Sequence, residues 1–274
     1  MAYRDPDADE NVLRATKRSR PVPKDDDEEE LDTDPFEPLR ARGFIREVLY
    51  EVKSGKEATV YCCRADPSVG MPLVAAKLYR EQKHRSFRGT TTYLDGRFRQ
   101  ENRVTRAMKN KSAFGQQMSQ MAWASHEYGL LTRLYKAGLD VPQPITCTER
   151  VILMEYLGDS QEPAPLLKDA DLPLPLVRRH FERVMWNVEK MLDLNVVHGD
   201  LSPYNMLWWN GKITLIDLPQ GIDPRFNLEA EKLLGRDVQN VCRAFAKWGL
   251  NTNPELITRD LWTRFENGKL SGRR

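Results

Sequence analysis

Cysteine pairing is the first thing this sequence lacks. Its four cysteines, Cys62, Cys63, Cys147 and Cys242, show no C-x-x-C spacing, and no histidine cluster accompanies them. Neither a zinc site nor a disulfide framework is expected, and a reducing cytoplasm is the natural location. Long apolar runs are also missing, and the opening Met-Ala-Tyr-Arg-Asp-Pro has no apolar segment of an export signal. No membrane association is expected from such a chain.

What is present is a body of ordinary hydrophobicity. With 274 residues and 40% hydrophobic composition, the chain can bury a core as one large domain or two lobes. The net charge of +2 conceals two opposed regions. Residues 1–34 carry twelve acids against six bases and almost nothing to bury, which predicts a disordered acidic tail. Between Arg80 and Ala122 ten lysines and arginines face three acids around the breaker Gly89-Thr90-Thr91-Thr92, which predicts a flexible basic insertion over about 80–122.

Between and after these regions the pattern is that of short strands and longer helices. Phe44–Tyr50, Thr59–Cys62 and Leu73–Tyr79 are rich in β-branched and aromatic residues, and the first two flank the polar turn Lys53–Ala58. Trp123, Leu130, Leu131 and Leu134 form a helical stripe stopped by Gly138, and Ile145–Cys147 with Val151–Tyr156 reads as a hairpin. A proline-rich crossing follows Gly158 and divides the chain into segments 35–157 and 158–274. Beyond it lie a long helix from Leu176 to Leu192, two short strands at Met206–Trp208 and Ile213–Ile216, and helices after Glu229 and Pro254.

The chemistry concentrates in that second segment. His198-Gly199-Asp200 stands five residues before Asn205, and a further acid, Asp217, ends an apolar strand. Singly, each of these residues fits a turn or a strand end. Together they form a phosphotransfer constellation: moving a γ-phosphoryl group needs a base or orienting carboxylate, here Asp200, and oxygen ligands for Mg²⁺, here Asn205 and Asp217. His198 is read as a hydrogen-bonding anchor of the loop, because Asp200 already fills the acid/base role.

Two further features point at the same chemistry. Val74-Ala75-Ala76-Lys77 matches the kinase strand signature V-A-I-K at three of four positions. Glu127 falls on the apolar stripe of its helix, where a carboxylate is costly unless paired, and Lys77 is the natural partner and phosphate ligand. The turn holds a single glycine rather than G-x-G-x-x-G, yet its amides, the Ser54 hydroxyl and the Lys56 ammonium are donors suited to phosphate. Met154–Gly158 occupies the place of an adenine-binding hinge, with the Glu155 carbonyl and the Leu157 amide as the polar pair.

Taken together, Ser54–Tyr61, Ala76–Tyr79, Trp123–Glu127, His198–Ser202, Asn205 and Ile216–Gln220 resemble the RIO family of atypical protein kinases over roughly Phe44 to Phe245. The resemblance implies an α+β, trimmed two-lobe protein-kinase-like fold, with an antiparallel sheet and one helix in the N-lobe and a mostly helical C-lobe. It implies ATP with Mg²⁺, or Mn²⁺ in its place. It gives Lys77 as phosphate ligand, Glu127 as its partner, Asp200 as catalytic aspartate, and Asn205 and Asp217 as metal ligands, with Asp217 also a phosphate acceptor. Ala58 after Glu57 resembles the first branch of the family, whereas Pro203 and Pro219 depart from it.

Three functions compete on this reading. The first is a serine/threonine protein kinase with autophosphorylation. The second is an ATPase-driven switch on a ribosomal or other ribonucleoprotein or protein assembly, contacted through the basic insertion. The third is a small-molecule kinase of the aminoglycoside or choline type, which shares His-Gly-Asp. The protein substrate is not legible in the sequence.

Overall fold

The protein is seen as a computed structural model that describes residues 34–80, 113–218 and 221–270, with 113–122 by backbone only. The acidic tail expected over 1–34 and most of the basic insertion lie outside the described residues, as does the Pro219-Gln220 pair.

A five-stranded antiparallel sheet of order β1-β2-β3-β5-β4 forms the first half. Its strands are β1 (Ile45–Ser54), β2 (Ala58–Ala65), β3 (Leu73–Tyr79), β4 (Pro144–Cys147) and β5 (Val151–Glu155). Alternation along β3 sends Val74 and Ala76 to one face, where they join Phe36, Leu39, Ile45, Cys63, Val151 and Leu153 in a core. Ala75 goes to the other face, with Cys62 and Tyr156. Lys77, two residues on, shares that second face.

A short helix, α1 (Glu37–Ala41), seals the first face: Phe36 and Leu39 are buried, and the Phe36 ring meets Tyr61 edge-on at 5.2 Å. Sequence reading missed this element. Its signal was the i, i+3 spacing of Phe36 and Leu39, each directly after a proline, which is too short for periodicity to register.

Helix α2 (Ala113–Lys136) starts nine residues before the expected end of the insertion. The reason lies in Ala113, Gln116, Gln117, Met118 and Gln120, which are good helix formers despite their polarity. Ala124 of α2 packs against Tyr79 and Ile152, fixing the helix under the end of β3.

The second half is mostly helical. Helix α3 (Val177–Asp193) buries Val177, Phe181, Val184, Val188, Met191 and Leu192 at helical spacing. These side chains share one core with the hairpin β6 (Met206–Trp209) and β7 (Lys212–Leu215), and with α4 (Ala230–Ala246) and α5 (Pro254–Glu266). Leu176 is exposed and lies before the helix rather than in its stripe. Among the described residues no helix is long and apolar enough to cross a membrane.

The crossing between the halves turns on Gly158, whose φ of 142° is one that side-chain-bearing residues rarely adopt. A Cβ there would lie 2.5 Å from the Glu162 carbonyl oxygen and 2.8 Å from Pro163 Cα, both backbone atoms that cannot swing away. Gly158→Ala is therefore expected to destabilise the protein by about 2–3 kcal/mol, measured by denaturant unfolding. A change within error would show that the crossing can relax.

Candidate active site

The sheet register sorts the cleft face into rows. Tyr50 pairs with Cys62, Cys62 with Ala75, and Ala75 with Met154, giving one row of apolar and aromatic side chains. Two residues further along, Lys53 pairs with Val60, Val60 with Lys77, and Lys77 with Ile152. Directly opposed residues share a face, so a dry, flat row lies beside a cationic one about 7 Å away. Glu155 and Leu157 flank buried Tyr156 at the end of the apolar row, and the Tyr156 and Tyr50 hydroxyls meet at 2.8 Å.

Lys77 is buried and fully engaged. Its Nζ donates to Glu127 Oε1 at 2.7 Å, Glu127 Oε2 at 2.9 Å and Asp217 Oδ1 at 2.8 Å, and the Tyr79 hydroxyl also donates to Glu127. Burial opposes the ammonium charge, but Glu127 and Asp217 overcome it and raise the Lys77 pKa above its ordinary value. The same exchange holds Asp217 below the usual carboxylate range: burial pushes it up and the Lys77 charge pulls it down further. Helix α2, the sheet and the segment after β7 thus meet at one ammonium.

Asp217 does not end a strand as expected. β7 stops at Leu215, the Ile216 amide donates to the Asn205 carbonyl at 3.0 Å, and Asp217 takes a left-handed φ of 64°. That backbone turn suits an aspartate better than most residues and aims the carboxylate back at the sheet. The chain then returns to pair Ile222 with Val197, immediately before the His198 loop.

Around Asp200 the loop is held from below. Asn205 Nδ2 donates to the Asp200 carbonyl at 2.9 Å and to Asp200 Oδ2 at 3.4 Å, which leaves Asn205 Oδ1 as the atom able to meet a cation. His198 is buried, and its Nε2 lies 3.3 Å from the Ile216 carbonyl, which only accepts. The ring is therefore protonated on Nε2, and burial lowers its pKa, so it serves as a neutral strut between the two chemical segments.

Sequence reading missed the clasp beneath this loop. Asp237 on α4 is 1% exposed and accepts from the Gly199 amide at 2.7 Å and the Leu201 amide at 2.9 Å. Arg236 donates to the Gly199 carbonyl, and Asn240 Nδ2 to the Leu201 carbonyl at 3.0 Å. Every backbone polar group on either side of Asp200's own peptide unit is thus tied to one helix. The available signal was a carboxylate inside the apolar stripe Leu234, Val238, Val241, the same anomaly that exposes Glu127.

Burial raises the Asp237 pKa to about 6, against the pull of the two amides. A carboxyl raised in the folded state contributes stability that is complete below its unfolded pKa of about 4 and is lost as pH rises through about 6. Relative to Asp237→Asn, which does not titrate, the wild type should lose about 3 kcal/mol between pH 4 and pH 7. Parallel pH–stability curves for the two proteins would contradict this.

The remaining expected donors divide. Gly55 N–H bonds the Ala58 carbonyl at 2.9 Å, closing a tight turn with Lys56 exposed at its tip. Ser54 is not brought to the cleft face. It pairs with Thr59, which lies on the opposite side of β2 from Val60, and its hydroxyl accepts from Arg80. Among the described residues no group of three or more His, Cys, Asp or Glu side chains forms a metal cluster. Asn205 and Asp217 can supply two oxygens, which fits Mg²⁺ because that ion keeps phosphate and water ligands.

Sheet roof, glutamate helix and clasped loop define a protein-kinase-like fold. The Rio2 kinase of Chaetomium thermophilum, solved as an ADP/Mg²⁺-phosphoaspartate complex, superposes with a TM-score of 0.60 at 21% identity, over 82% of this chain and 63% of that one. The model of the RIO domain matches residues 50–257, and the chain belongs to the RIO family. Serine/threonine-protein kinase RIO3 of Bos taurus is 28% identical over 217 residues, which is 76% of this chain and 40% of that protein. The RIO-type serine/threonine-protein kinase Rio1 of Thermoplasma acidophilum is 36% identical over 135 residues, 49% of this chain and 69% of that protein. This chain thus spans about two fifths of the length of the RIO3 relative, and the matches are not confined to one branch.

Proposed function

We propose that the chain is an ATP- and Mg²⁺-dependent serine/threonine protein kinase of the RIO type, capable of autophosphorylation and nearest to the first branch. The observation that carries this reading is the meeting of Lys77, Glu127 and Asp217 at one point, with the Asp200–Asn205 pair joined to it through the Ile216 amide. Relatives of this family named as serine/threonine-protein kinases support the substrate class. Free cysteines and the lack of a spanning helix among the described residues support a cytoplasmic location.

In this mechanism Ala75, Cys62 and Met154 enclose adenine, while the Glu155 carbonyl and Leu157 amide fix its edge. Lys77, aimed by Glu127, holds phosphate oxygens, and Lys56 covers them from the turn. Asn205 Oδ1 and the Asp217 carboxylate would hold Mg²⁺, which would supply neutralisation of the phosphate charge. Asp200 is exposed, so it can accept the proton of an incoming hydroxyl as the γ-phosphoryl group leaves ADP.

A second reading makes Asp217 the acceptor. Lys77 occupies only Oδ1, and the side chain is 42% exposed, so Oδ2 can attack the γ-phosphorus, break its bond to the β-bridging oxygen and release ADP. The phosphoaspartate in the Rio2 complex supports this course, and water would then cleave the acyl phosphate. An ATPase switch of that kind would engage a ribosomal or ribonucleoprotein assembly through the basic residues between Arg80 and Lys111.

Incubation with γ-labelled ATP and Mg²⁺ separates the readings by the chemistry of the bound label. Acid-stable label on serine or threonine, retained against hydroxylamine, is expected of the kinase. Label that hydroxylamine removes and that is missing in Asp217→Ala belongs to the switch. Failure of the wild type to bind ATP would sink both.

A further inference from the structure

The cationic row contains a residue that the phosphotransfer reading has not used. Lys53 lies on the edge strand β1, and simple alternation from Tyr50, which belongs to the apolar cleft-face cluster, would turn it away from the cleft. The register does otherwise. Glu51 pairs with Tyr61 and Lys53 with Val60, so Val52 is an extra residue that shifts the register between them. Tyr61 belongs to the face sealed by α1, whereas Val60 belongs to the cleft face. A bulge that inserts one residue re-aims everything after it, and here it returns Lys53 to the side of Lys77.

Lys53 and Lys77 are therefore the two ends of one cross-strand row with Val60 between them, their backbones about 10 Å apart. The charge around them is unbalanced. Lys77 already faces Glu127 and Asp217, and Asp200 adds a third carboxylate to the site. Among the described residues no salt bridge engages Lys53, which is exposed. The register sets it in the row of Lys77, next to the phosphate turn, and not in the Ala75–Met154 row. An anionic ligand entering a site with one buried ammonium against three carboxylates needs further cations, and a lysine on a flexible four-carbon stem is suited to follow terminal phosphates.

We propose that Lys53 is a phosphate-binding residue of the roof, selecting nucleoside triphosphate by contact with its terminal phosphates; this rests on the kinase reading of the site. The Ser54 hydroxyl, turned to the other face and held by Arg80, cannot take that place. Lys53 and Lys56 together close the outer side of the phosphates, opposite Lys77.

The test is equilibrium binding of MgATP and of adenosine to the full chain as wild type, Lys53→Met and Lys53→Arg. Lys53→Met should weaken MgATP by about tenfold and leave adenosine within about twofold, and Lys53→Arg should restore most of the loss. An unchanged melting temperature is expected for both variants, since the side chain is exposed. If Lys53→Met binds MgATP like the wild type, the residue is only an edge-strand lysine and the proposal falls. It falls equally if adenosine weakens by the same factor, because the lysine would then be shaping the adenine slot. Wild type that binds adenosine but not MgATP would overturn the kinase reading itself.

Discussion

Lys77→Met is expected to lower stability by about 3–5 kcal/mol and to abolish measurable ATP turnover. The structural effect follows from Glu127, which is 5% exposed and would be left without its cation on the apolar face of α2. The partner change separates stability from chemistry. Lys77→Met/Glu127→Gln removes both charges while the Gln carbonyl still accepts from Tyr79, so most of the stability should return. Turnover should not return, because no ammonium remains to meet phosphate. Denaturant unfolding and an ATPase assay on the three proteins check this. A single variant as stable as the wild type would show that Glu127 is neutralised without Lys77, and a double variant that regains turnover would remove Lys77 from the mechanism.

Asp200→Asn should do the reverse. Asp200 is exposed and among the described residues its side chain makes only a long contact to Asn205, so stability should stay within about 0.5 kcal/mol of wild type. Asparagine keeps an acceptor for Asn205 but cannot take a proton, and turnover should fall by about 10²–10⁴-fold. MgATP affinity should change by no more than about twofold, since Lys77, Asn205 and Asp217 are untouched. Loss of affinity in step with the rate would mean that Asp200 binds metal or nucleotide instead of handling the hydroxyl.

Much of this site was legible because buried charge is an anomaly that sequence displays. Glu127 among Trp123, Leu130 and Leu134 announces a missing cation, and β3 announces where that cation stands. The same reasoning applied to Asp237 would have found the clasp, but its partners are backbone amides at Gly199 and Leu201, which no side-chain pattern advertises. The faces taken by Lys53 and Ser54 were not legible for a related reason. Their faces depend on a single extra residue in β1, and a bulge is a property of the pairing between two strands rather than of either sequence. The strand, helix and hairpin positions were clear wherever β-branched or 3.6-residue patterns ran long enough; α1 is too short to display one.

In the proposed function Asp200, Asn205 and Asp217 act with Lys77 as one centre on the γ-phosphate of ATP. Purified wild type given γ-labelled ATP, with and without Mg²⁺, tests it most directly beside Asp217→Ala. Magnesium-dependent loss of the label from ATP by the wild type, and none by the variant, is the predicted result. Wild type that binds ATP yet leaves its γ-phosphate intact, or an Asp217→Ala protein that consumes it at the wild-type rate, would mean that these residues are not a phosphotransfer centre.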